Sequence, residues 1–88
     1  MKSDNKKNYE FIKSVTEVFC AERYIEDVSY DVFFEHGQFW LKIWGEYFED
    51  VFAMADAECP VCLGEVDFCS NCGCYNGIDF ELIERQEF

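Results

Sequence analysis

Positive charge is scarce in this chain. Seven Lys and Arg stand against 19 Asp and Glu, a formal net of −12 with a pI near 4.2. Holding a phosphate backbone draws on the opposite sign, so the composition argues against general nucleic-acid binding. Long apolar runs are missing too, and none approaches the ~18 residues that suggest a membrane span. The opening residues 1–7 lead into a charged amphipathic stretch with no signal-peptide apolar core, so we expect a soluble protein of the cytoplasm. Histidine occurs once, as His36, and nothing in the spacing brings it to a nucleophile. There is no HExxH motif and no Gly-rich phosphate loop before a helix. A chain this small has little material for a concave pocket once its core is filled. We therefore expect a protein that is not an enzyme.

What is present is a core. The 88 residues, 10.4 kDa, suffice for one domain spanning 1–88, and half of them are hydrophobic. Aromatics reach 19 %, ten of them Phe, which separates the chain from disordered acidic tails. No repeat, linker or low-complexity segment interrupts it. The charge is segregated. Residues 1–13 hold four lysines against two acids, a net of +2, whereas 14–88 hold three basic residues against 17 acids, a net of −14. From Ile43 through Glu84 there are ten carboxylates and no Lys or Arg. Such a field repels polyanions, attracts basic surfaces and acts mainly on encounter rate and partner choice.

The expected fold class is α+β: an N-terminal helix packed on a small antiparallel sheet, with a four-cysteine insertion. Ser3 or Asp4 can cap the helix. Phe11, Ile12, Val15, Val18 and Phe19 then form one helical stripe, running to about Arg23 or Tyr24. Residues 28–35 alternate as a strand, His36-Gly37 supplies a turn, and 38–44 return as the partner strand. One face of this hairpin is uniformly apolar and should receive the helix. The stretch 46–58 is ambiguous. Tyr47, Phe48, Val51, Phe52 and Ala55 fit helical spacing, with Glu46, Glu49, Asp50 and Asp56 opposite, so we read a helix, a third strand being the alternative. A final strand over 77–85 closes the sheet.

Five of the six cysteines fall between positions 59 and 74. Cys59-Pro60-Val61-Cys62, six residues, then Cys69-Ser70-Asn71-Cys72-Gly73 place two pairs of thiols, each across a tight turn. Two such turns provide the four soft ligands of one tetrahedral Zn²⁺. The pattern resembles the short zinc-ribbon family, with its Cys-Pro-x-Cys and Cys-x-x-Cys-Gly knuckles. The resemblance covers residues 59–73 and departs at Leu63, where Gly is usual and Gly64 follows one position later. It implies a structural zinc knuckle at 59–74 held by Cys59, Cys62, Cys69 and Cys72. Competing readings are a disulfide framework, which needs an oxidising compartment, and iron in a rubredoxin-like setting. Cys74 is a surplus thiol that can replace Cys72, although the two-residue spacing favours Cys72. Cys20 reads as an inert thiol packed inside, and His36 as a surface turn residue.

Beyond the helix, the sheet's second face would show Phe33, Trp40 and Trp44 among Asp31, Glu35, Asp79 and Glu81, unless 46–58 folds back over it. If it stays open, it is an apolar patch rimmed with carboxylate, the mark of a contact surface. In size and charge the chain resembles the small acidic inhibitors that phages direct against host nucleases, polymerases and CRISPR effectors, the anti-CRISPR proteins among them. That resemblance implies a viral DNA mimic that occupies the basic, nucleic-acid-binding surface of a partner protein without binding nucleic acid or membrane itself. Glu46, Glu49, Asp50, Asp56 and Glu58, with Trp40 and Trp44, are then the candidate partner-binding residues. The alternative is a zinc-ribbon docking subunit of transcription, replication or RNA-processing machinery. Glu58, Glu65 and Asp67, with no basic residue in the ribbon, disfavour its direct contact with nucleic acid. A metal-buffering protein is a third possibility, and the chain is expected as monomer or homodimer.

Overall fold

Apolar residues at helical spacing close the first element, α1 (Asn5–Arg23). Its Ile12, Val15, Thr16, Phe19 and Cys20 are buried, while Phe11 lies at the edge of the stripe, 46 % exposed. A computed structural model of the chain describes residues 5–25, 27–62 and 66–88. The proposed caps Ser3 and Asp4, and Leu63 and Gly64 of the first knuckle, lie outside the described residues. Arg23 ends α1, where a cation suits the carbonyl end of the helix dipole, and it rests over the Phe19 ring at 5.2 Å.

Four strands follow in a simple antiparallel meander: β1 (Ser29–Glu35), β2 (Gln38–Trp44), β3 (Phe48–Asp56) and β4 (Ile78–Glu87). The β1–β2 turn takes positive φ at both His36 (56°) and Gly37 (74°), the mirror-image turn whose twist matches that of paired strands. Its register, Val32 opposite Leu41 and Tyr30 opposite Ile43, puts the apolar face of the hairpin toward α1, as the alternation requires. Phe19 is the keystone of that layer. Its ring stacks on Phe80 at 4.0 Å and meets Phe52 and Tyr75 edge-on at 5.2 Å each.

The expected helix at 46–58 is instead β3, between β2 and β4. Alternation is present but masked. Phe48, Phe52 and Met54 share the helix-facing side, and the carboxylate that breaks the pattern, Asp50, points into the core with them at 2 % exposure. Hydrogen bonding to a strand on each side outweighs the local helical preference. Since the segment lies within the sheet, it does not fold over the second face.

Asp50 is held by residues distant in sequence. The Tyr24 hydroxyl donates to its Oδ2 at 2.7 Å. Arg85 Nε stands 3.4 Å from Oδ1, near enough for charge attraction but not aligned as a hydrogen bond. Burial, and then this bond, push the Tyr24 hydroxyl pKa upward, so tyrosine remains the donor. Arg85 reaches Asp50 because β4 slips at a bulge: Leu82 pairs with Phe52 but Glu84 pairs with Val51, leaving Ile83 as the extra residue. Without that slip Arg85 would face the opposite side of the sheet. Arg85→Met is expected to cost about 1–3 kcal/mol, reduced by the half-exposed guanidinium. Pairing it with Asp50→Leu should recover much of the loss, which urea denaturation of both single variants and the double variant will measure.

Candidate metal centre and the open sheet face

The β3–β4 connection leaves the sheet at Asp56 and re-enters it at Ile78, its ends joined where the Ala57 amide donates to the Gly77 carbonyl at 2.7 Å. Within it the sulfurs of Cys59, Cys62, Cys69 and Cys72 all lie within 4.8 Å of one another. Four thiolates at ~2.3 Å around one tetrahedral zinc stand ~3.8 Å apart. Cys59 to Cys69 is 4.0 Å and Cys62 to Cys72 is 3.8 Å, so the donor set fits one such ion. No two of the six cysteine sulfurs are joined as a disulfide.

Local backbone builds the two knuckles. Cys59 Sγ accepts from the Asn71 side-chain amide at 3.3 Å and from the backbone amides of Cys62 and Val61. These bonds, that from Asn71 the strongest, lower the Cys59 thiol to about 6, which favours the ligating thiolate. In the second knuckle the Gly73 amide donates to the Cys69 carbonyl at 2.7 Å, with Gly73 at φ 78°. An added Cβ there would meet nothing within 4 Å, so the turn angle rather than crowding calls for glycine. Cys59, Cys62, Cys69 and Cys74 are buried together, and among the described residues the half-buried Ala57 packs against them.

The sheet's second face is the other candidate site. Its rows follow from the register: Phe33, Trp40, Ala53, Glu81; then Asp31, Lys42, Val51, Glu84; then Ser29, Trp44, Glu49, Gln86. Glu35 and Asp79 extend the two edge columns. The apolar centre is thus walled by Asp31 and Glu35 along β1 and by Asp79, Glu81 and Glu84 along β4. Lys42 is the only cation on this face among the described residues, and Glu49 pairs with it at 3.4 Å. No described element covers the face. Trp40 is oriented by its indole N–H, which donates to the Glu35 carbonyl at 3.0 Å, and Trp44 is 37 % exposed.

The acidic partner-binding candidates do not form one helical side. Glu49 lies on the open face with Trp40 and Trp44. Glu46 is exposed in the β2–β3 turn and Glu58 is exposed beyond β3. Asp56 is exposed but on the helix-facing side, opposite Ile78. Asp50 is corrected outright, since a core carboxylate offers nothing to a partner. Cys20 is buried in the main core, and burial, then the nearby Glu17, raise its thiol to about 11, so it stays protonated. His36 is exposed in its turn, apart from the sulfur cluster. Sequence spacing understated Cys74, which is fully buried against the cluster, and it passed over Glu84, whose side is set by the bulge.

Among the described residues no helix is long and apolar enough to cross a membrane. Comparison with known protein families, curated proteins and solved structures finds no match to this chain.

Proposed function

We propose that the chain is a small zinc-stabilised interaction protein that docks its open sheet face on a basic surface of a partner protein and so keeps nucleic acid off that surface. One Zn²⁺ on Cys59, Cys62, Cys69 and Cys72 is its structural ion, thiolate softness favouring zinc over oxygen-seeking cations. The observation that carries the reading is the carboxylate wall around Phe33, Trp40 and Trp44, with its one cation already paired. Asp79 and Glu81, two residues apart on β4, stand about 6.6 Å apart along the strand, and the bulge brings Glu84 to the same face, extending the line of negative charge. Aromatic anchors inside such a rim supply affinity, and the charge supplies partner choice and fast association. Inhibition then follows by occupancy and needs no catalysis.

The test is capture of partners on tagged, zinc-loaded protein, followed by challenge with excess duplex DNA. A bound protein displaced by DNA and lost with Glu81→Lys/Glu84→Lys is the expected result. Trp40→Ala should weaken the same complex by about 2 kcal/mol, roughly 30-fold. Retention of the partner after charge reversal would end this reading.

A second reading places the contact at the metal knuckle, because Val61, Val66 and Phe68 are exposed beside the cysteines. The acidic ribbon would then serve as a protein-docking knob, and Phe68→Ala rather than Trp40→Ala would release the partner.

A further inference from the structure

The sulfurs at the centre outnumber the places around one tetrahedral ion. Cys74 Sγ lies 3.2 Å from Cys62 Sγ and 3.0 Å from Cys72 Sγ, closer to each than the ~3.8 Å separating two thiolates on one zinc. It is fully buried, whereas Cys72 is exposed. The backbone aims it inward. Cys69 and Cys74 form an antiparallel bridge, the Cys69 amide donating to the Cys74 carbonyl at 2.9 Å. Residues opposite one another in such a bridge project to the same side, so Cys74 emerges beside an established member of the cluster.

We propose that Cys74 is a reserve ligand: when Cys72 is removed or modified, Cys74 completes the four-sulfur set with Cys59, Cys62 and Cys69. In the exchange the Cys62–Cys74 separation opens by about 0.6 Å toward the tetrahedral edge, and Cys74 moves toward Cys59 and Cys69, since the sulfurs that already lie within 4.8 Å of one another are those of Cys59, Cys62, Cys69 and Cys72. Chain connectivity makes this a local event, since Cys72 and Cys74 flank Gly73 in the same turn. The consequence is a centre whose outward-facing ligand is expendable. An electrophile or oxidant that takes Cys72 would leave the ion in place, because the replacement sulfur is already in contact. This inference rests on the cluster being a metal site, and the experiment separates the two.

Cobalt(II) titration reads both, because thiolate-to-cobalt charge-transfer intensity reports the number of bound thiolates. The unmodified protein is expected to bind one ion with four-thiolate intensity. Cys72→Ser should keep that intensity with affinity within about 10-fold, and Cys74→Ser should do the same. Cys72→Ser/Cys74→Ser should fall to three-thiolate intensity with affinity lowered more than about 100-fold, beyond what loss of a second-shell group causes. Three-thiolate intensity in Cys72→Ser alone would overturn the reserve role while leaving the metal site standing. Failure of the unmodified protein to bind cobalt at all would overturn the metal site, and the reserve role with it. A measurement that needs no substitution is iodoacetamide treatment of zinc-loaded protein followed by native mass spectrometry. Singly alkylated protein labelled at Cys72 and retaining one zinc supports the exchange, whereas loss of zinc upon that single label refutes it.

Discussion

Cys62→Ser is expected to abolish stoichiometric zinc binding and to melt the segment between Ala57 and Gly77. Cys62 is fully buried at the centre of the four-sulfur set, 3.8 Å from Cys72. Among the described residues the cluster has little apolar filling beyond its own sulfurs and Ala57, and Tyr75 ties the C-terminal end of the connection to the main core, so the two knuckles themselves depend on their ligands. No preformed site exists in an unfolded chain, and metal binding energy is therefore folding energy. At free metal ~1,000-fold above Kd the linkage is about 4 kcal/mol. For a domain of this size that corresponds to a melting temperature roughly 15 °C or more below that of zinc-loaded protein. Chelation of the unmodified protein should reproduce the effect. Hydrogen exchange should then show protection lost at 57–77 before it is lost in β2 and β3. Equal melting temperatures with and without zinc would show that the sulfurs do not hold a structural ion.

Phe19→Ala should be the most damaging single change outside the cysteines. The ring joins α1 to Phe52 on β3, to Phe80 on β4, and to Tyr75 beside the cysteine cluster. Truncating a buried Phe costs about 3–5 kcal/mol, through lost transfer energy and the cavity left behind. Domains of this size have on the order of 5–10 kcal/mol in all, so the variant should stand close to its unfolding threshold at 37 °C. Urea denaturation should show a lower midpoint with an unchanged slope. Phe11→Ala, on the same helix but 46 % exposed, is the matched control and should cost less than about 1 kcal/mol. Similar losses in the two variants would contradict the packing described for Phe19.

Several elements were legible locally because each carries its own period. The spacing of Ile12, Val15 and Phe19 writes a helix, and the alternation of 28–35 and 38–44 around His36-Gly37 writes a hairpin with a definite register. Alternation in Ile78, Phe80 and Leu82 likewise marks β4. The cysteine spacing is equally explicit, since two Cys-x-x-Cys turns bring four thiols to one point with little help from the rest of the fold.

What tertiary structure decided is where local pattern and global pairing disagree. β3 reads as a helix because Asp50 interrupts its alternation, and among the described residues Tyr24 and Arg85, 26 and 35 residues away, make that buried carboxylate tenable. The slip at Val51/Phe52 sends Arg85 to the core side and Glu84 to the open face, and no run of residues in β4 announces it. With β3 inside the sheet, the face bearing Phe33, Trp40 and Trp44 stays open among the described residues. Cys74 follows the same logic: its spacing suggests a spare thiol, and the bridge to Cys69 turns it into the cluster. The sequence alone determined periodicity, charge and the metal-ligand spacing, because these are properties of neighbours along the chain. The side each carboxylate faces, and the placement of the fifth sulfur, depend on strand register and on contacts made only when distant segments meet.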